Sequence, residues 1–194
     1  TAFYARCAAM MAQMANALGK TADAATYSQL CTNICSVFQA SYVGADGTVG
    51  SGSQGGYALA LDFDLLTPAQ RTLAMYKFAA AMNAQGGNPS TGLVTTHLLP
   101  SALTGVGRND LAYQMLEKTN YPSWGFEVGV GATTIFELWN GVNADGTVNI
   151  SQDAMNSLNH ANFGAVAEWF YRGILGINQT APGFSKLLIN PQPG

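Results

Sequence analysis

The stretch Phe3-Tyr4-Ala5-Arg6-Cys7-Ala8-Ala9-Met10-Met11-Ala12-Gln13-Met14-Ala15-Asn16-Ala17-Leu18-Gly19-Lys20-Thr21-Ala22-Asp23 carries two helix signals around one stop. Phe3, Cys7, Met10, Met11, Met14 and Leu18 recur at a spacing that sets them on one stripe of a helix. Gly19 closes that helix, because glycine readily takes the left-handed conformation that ends one. Thr21-Ala22-Asp23 opens a second helix, with Tyr27, Leu30, Ile34, Val37 and Phe38 as its apolar face. Residues 1–18 and 22–40 therefore read as an antiparallel helical hairpin turning near Lys20.

The same grammar continues outward. A Gly-rich loop at 44–52, with Asp46-Gly47 as its turn, leads into a helical pattern over 53–66. Pro68 stands where a first-turn proline belongs, and the helix behind it runs through Leu73, Tyr76, Phe78, Ala79 and Met82. After the break Gly86-Gly87-Asn88-Pro89 the pattern predicts helices over 93–103 and 110–118, another over 133–139 and a strong one over 162–175. Residues 184–191 read as a single strand without a sheet. Repeated helix pairs with short turns imply a solenoid or toroid of αα units. About four pairs are visible, and the outermost apolar stripes lack a partner unless more chain is present. The start reads as the middle of a helix, as in a segment of a longer protein.

Hydrophobic residues make up 48% of the 194, enough for a packed core, while only 10% are charged. That is well under the roughly 25% of an ordinary domain. The polar surface is then built of hydroxyls and amides, which suits an extracellular protein handling a neutral polar ligand. A net charge of −3, with eight scattered Lys and Arg, offers no footprint for phosphate backbones. Nothing suggests a membrane partner, whether a spanning run or a basic amphipathic stretch. Two sequons, at Asn149 and Asn178, agree with secretion. Of the three cysteines, Cys7 could bridge to Cys31 or Cys35 across the first hairpin; equally, all three could be small buried hydrophobes.

Three segments gather aromatics, amides and carboxylates: Tyr121-Pro122-Ser123-Trp124-Gly125-Phe126-Glu127, residues 131–141, and Ser157-Leu158-Asn159-His160-Ala161-Asn162-Phe163-Gly164. Glu137 stands among Ile135, Phe136, Leu138 and Trp139. Burial there would raise its pKa and make it a usable general base, although a structural ion pair is the commoner fate of such a residue. Trp124 is either a platform for the apolar face of a sugar or simply core. His160 could reach into a cavity and bond a ligand hydroxyl, although a lone histidine near a helix start is more often a satisfied structural residue. Glu168 and Arg172 are spaced for an i,i+4 ion pair. Two histidines far apart, with no HExxH and no paired CxxC, give no zinc site, and no GxSxG elbow or phosphate loop is present. No metal and no cofactor is expected.

These three segments, Tyr121-Pro122-Ser123-Trp124-Gly125, then Gly131-Ala132-Thr133-Thr134-Ile135-Phe136-Glu137, then Asn159-His160 running into Gly164-Ala165-Val166-Ala167-Glu168-Trp169-Phe170-Tyr171-Arg172, resemble the bacterial and fungal α-L-rhamnosidases of glycoside hydrolase family 78. Gln54 with Tyr57-Ala58-Leu59-Ala60-Leu61, and Thr91-Gly92-Leu93 running to Leu98-Leu99-Pro100, extend the likeness over nearly the whole chain. The resemblance implies an all-α fold, an (α/α)6 toroid represented here by its C-terminal half to two-thirds. Residues 1–181 would then be barrel, and 182–194 the linker and first strand of a C-terminal β-domain. It implies an inverting hydrolysis of terminal α-L-rhamnosyl groups from glycosides or polysaccharides. Glu137 would be the general base, His160 a ligand of the rhamnose hydroxyls, and Trp124 a wall of the same pocket. An inverting site sets acid and base about 6.5–9.5 Å apart. The family's acid lies in an upstream segment that nothing here resembles, so the remainder of the polypeptide is expected as a partner and this segment alone is expected to be inactive. Asp62 and Asp64 fall in a packing helix. The chain departs from the family pattern at Phe136, Asn140 and Ala161, and at Gly129 and Glu127, where an acid is frequent at the first and not at the second. These changes leave another sugar, or a binding toroid without turnover, as the alternatives.

Overall fold

The computed structural model describes residues 1–149 and 156–194. The sequon at Asn149 depends on Ile150 and Ser151, which lie outside the described residues. The chain divides within one helix into two compact units, residues 1–78 and residues 79–194.

In the first unit, α1 (Ala2–Ala17) and α2 (Thr21–Tyr42) pack as the expected hairpin. Gly19 takes φ 69° at the turn, and the Lys20 N–H reaches back to the Ala15 carbonyl at 2.8 Å. The buried face of α1 is not the expected one. Ala2, Ala5, Ala8, Ala12 and Ala15 face the core, while Phe3, Met10, Met11, Met14 and Leu18 are exposed. Alanine on both sides of a turn lets two helix backbones approach closely, so the small stripe packs and the large one faces away. On α2, Ile34 and Phe38 are buried as expected, but Val37 is exposed. Cys7, Cys31 and Cys35 are all free thiols, and Cys7 is exposed, so neither the bridge nor three buried hydrophobes is found. Burial first, then the neighbouring Cys31 thiol, pushes Cys35 up to about 11.

α3 (Gln54–Asp62) begins at Ser53, whose hydroxyl accepts from the Gly56 N–H at 3.2 Å. α4 (Pro68–Ala84) opens with its proline and with a reciprocal cap. The Thr67 N–H donates to Gln70 Oε1 at 3.1 Å, and the Gln70 N–H donates to the Thr67 hydroxyl at 3.3 Å. Asp62 ends α3, whereas Asp64 lies beyond it in a turn instead of in the expected helix, exposed and paired with Arg71 at 3.3 Å.

In the second unit the Asn88 amide donates to the carbonyls of Asn120 at 3.1 Å and Pro122 at 3.0 Å, tying the Gly-Gly turn to the first of the three motif segments. α5 (Leu98–Gly105) and α6 (Asn109–Leu116) form a short hairpin. α5 starts later than the pattern suggests, because the Thr96 hydroxyl donates to the Gly92 carbonyl at 2.9 Å and holds 93–97 in turns. α7 (Trp124–Gly129) falls where no helix is expected, and the expected helix over 133–139 is absent. The helix over 162–175 is broken into α8 (Ala161–Gly164), α9 (Ala167–Trp169) and a π-helical turn, Phe170–Ile174. The terminal strand has a partner after all. β1 (Ile177–Ala181) pairs antiparallel with β2 (Lys186–Ile189), Ile177 opposite Ile189.

One loop is built twice. Val43 bridges Val49 in the first unit, and Val142 bridges Val148 in the second. In each, an Ala-Asp-Gly-Thr turn is closed by the aspartate accepting from the backbone N–H two residues on, Thr48 at 3.0 Å and Thr147 at 2.9 Å.

Candidate functional site

The site is assembled by backbone before any side chain is placed. Ser123, fully buried, caps α7 by accepting the Phe126 N–H at 3.0 Å. Gly125 is required there, since a Cβ would run into the Lys118 carbonyl oxygen. One turn of helix sets Trp124 and Glu127 on the same side, and both are buried. Gly131, at φ 85°, then releases the chain into the irregular segment that carries Glu137.

That segment lies against residues 157–160. The Glu137 N–H donates to the Ser157 carbonyl, and the His160 N–H to the Ile135 carbonyl, both at 2.8 Å. Thr134 adds a hydroxyl bond to the Leu158 carbonyl. The Glu137 carboxylate accepts the Ser157 N–H at 3.0 Å through Oε2. Glu137 and His160 are thus carried on two segments stitched to each other. Glu137 is half-buried, on a segment of bends and turns in place of the expected helix.

His160 caps α8, its Nδ1 accepting the Asn162 N–H at 3.3 Å. A nitrogen that accepts carries no proton, so in the neutral ring Nε2 is the donor. The cap and a hydroxyl contact are therefore compatible: one nitrogen serves the helix and the other is left to donate.

Trp124 is buried, and its indole N–H donates to the Phe163 carbonyl at 3.2 Å. It meets Trp139 edge to face at 5.2 Å, and Trp139 stacks on Phe163 at 4.0 Å. This aromatic cluster is core for the two stitched segments. Trp124 also lines an open cavity of about 220 Å³ with Glu127, Val128, Thr133, Thr134 and Ile135, and neither Glu137 nor His160 is in its wall. The structure carries Glu137 and His160 on two hydrogen-bonded segments, and holds Trp124 in the aromatic cluster with Trp139 and Phe163.

Burial acts most clearly on Glu127. It is 1% exposed, and burial pushes its carboxyl up to about 7 against the opposing pull of the Phe136 N–H. Sequence reasoning noted this residue only as a departure. The available signal was Ser123 as a helix cap, which would set Glu127 on the same side as Trp124. Glu168 pairs with Arg172 at 2.9 Å, as the spacing predicts. Among the described residues no group of three or more His, Cys, Asp or Glu could hold a metal ion.

Residues 1–174 match the bacterial alpha-L-rhamnosidase six-hairpin glycosidase domain, and the chain belongs to that family. Its helices are a part of such a domain, and the fold agrees with solved members. An alpha-L-rhamnosidase from Streptomyces avermitilis is 39% identical over all of this chain, which covers 18% of that protein. The crystal structure of the Streptomyces enzyme with L-rhamnose superposes with a TM-score of 0.93, again over all of this chain and 18% of that one. An Alteromonas alpha-L-rhamnosidase is 38% identical over 99% of this chain and 21% of its own length. The native Aspergillus terreus enzyme is 30% identical, with a TM-score of 0.94 over all of this chain and 22% of that one. The chain spans about a fifth of the length of these relatives.

Proposed function

We propose that this chain is the part of an inverting α-L-rhamnosidase that supplies the general base, Glu137, and a sugar ligand, His160. The carrying observation is the Ser157 N–H bond to Glu137 Oε2, on a segment stitched to the one that bears His160. A carboxylate anchored through one oxygen has a fixed direction for the other, which is the requirement for taking a proton from water aimed at an anomeric carbon. His160, with Nδ1 engaged, donates Nε2–H to a sugar hydroxyl. The relative from Streptomyces avermitilis was solved with L-rhamnose, which supports a rhamnoside as substrate.

The proton donor for the leaving oxygen belongs to the rest of the polypeptide, and so do the helices that cover the outer face of α1. Trp124 acts as the wall behind the base and not as an exposed platform. Secretion, with an N-glycan at Asn178, belongs to the same proposal. The test is the configuration of the first sugar released by the full-length parent from an aryl α-L-rhamnoside. Inversion yields the β anomer first; the α anomer first would remove Glu137 from the role of base and make it, or another acid, a nucleophile.

A further inference from the structure

Glu127 is buried, carries one unpartnered oxygen and touches the backbone beside Glu137, a combination the proposed mechanism leaves unused. Its Oε2 accepts the Phe136 N–H at 3.5 Å, and Phe136 immediately precedes Glu137. Its backbone carbonyl accepts the Ala132 N–H at 3.0 Å, closing the turn that launches the same segment. Its Oε1 is buried without a hydrogen-bond partner, and the residue lines the 220 Å³ cavity. On the other side the segment is held by Ser157, Leu158 and His160. The base-bearing segment therefore has two anchors: residues 157–160 along one edge and the Glu127 side chain along the other.

We infer that Glu127 is a positioning residue, which sets the direction of Glu137 by holding the Phe136 amide. The inference rests on the reading of Glu137 as the base. A methionine of similar volume would fill the space and leave the Phe136 N–H buried and unpaired, so the segment would be free to shift. A displacement on the order of 1 Å at a reacting group is enough to cost rate without loss of binding. Glutamine keeps an acceptor for the amide but cannot ionise. The titratable groups on the packed segments are Glu137 and His160; burial is what raises Glu127, with no charged neighbour among the causes.

The experiment uses the full-length parent with Glu127→Met and Glu127→Gln, on an aryl α-L-rhamnoside, alongside hydrogen exchange of the peptide spanning residues 131–137. The expected result is a kcat about tenfold lower for the methionine variant, with KM within about twofold. Glutamine is expected to recover most of that loss, because it keeps an acceptor for the Phe136 N–H. The 131–137 peptide should exchange about tenfold faster in the methionine variant. Unaltered exchange in that variant, or a glutamine variant as damaged as the methionine one, would overturn the inference. If the methionine variant does not fold, unaltered exchange of the same peptide in Glu127→Ala overturns it. If the parent has no activity on rhamnosides, the reading of Glu137 falls on that result. The exchange measurement still decides the anchoring role by itself.

Discussion

At the scale of single residues, the chain holds two glutamates ten apart that meet opposite environments. Glu137 is half-buried and has a backbone N–H on its carboxylate, whereas Glu127 is enclosed with one oxygen unmatched. An acid whose pKa rises on folding binds more protons folded than unfolded across the interval between the two values. Its contribution is therefore fully present below the unfolded value of 4.5 and is lost as pH rises through about 7. Glu127 alone should make the parent less stable at pH 8 than at pH 4 by about 3 kcal/mol, and Glu127→Gln should remove that slope. Denaturant midpoints across the pH range check this; equal slopes in both proteins would contradict it. The sequence alone pointed to Glu137 and His160 through their motifs. It could not rank the environments of the two acids, because that depends on which segment is helical.

At the scale of elements, α7 explains most of the differences between pattern and structure. The pattern points to a helix over 133–139 because Ile135, Phe136, Leu138 and Trp139 are apolar, but the segment is irregular and is hydrogen-bonded through residues 134–137 to 157–160. The helix instead falls earlier, at Trp124–Gly129, capped by Ser123 and fitted against Lys118. Gly125→Ala should push α7 off the Lys118 carbonyl and cost about 1–3 kcal/mol. A chemical denaturation curve of the parent and its variant reads this directly, and an unchanged midpoint would show that α7 has room to shift. In α1 the opposite confusion occurred: the large apolar stripe looked like core, and the alanine stripe is core. Period alone identifies a helix but not its buried face when both faces are apolar. The twin Ala-Asp-Gly-Thr turns show that one loop design is used in both units, as a repeat of helical hairpins requires.

At the scale of the whole molecule, the hairpin repeat, the family and the motif order were legible, since they rest on spacing and on residue types over nearly the full length. The β1–β2 pairing was not, because Ile177–Ala181 carries no alternation to mark it beside a helical run. Phe3, Tyr4, Met10, Met11, Met14 and Leu18 leave an apolar face of α1 in solvent. On the proposed reading that face packs against the rest of the polypeptide. The 194-residue chain by itself should then associate, and light scattering would show mass growing with concentration. A monodisperse monomer with a sharp melt would contradict this. The most direct measurement of the central claim is hydrolysis of an aryl α-L-rhamnoside by the full-length parent, its Glu137→Gln variant and the 194-residue chain. The account predicts an active parent, a variant slowed by about a thousandfold or more, and a silent chain. Turnover by the chain alone, or a variant within tenfold of the parent, would contradict the assignment of Glu137 as a base whose acid lies elsewhere in the polypeptide.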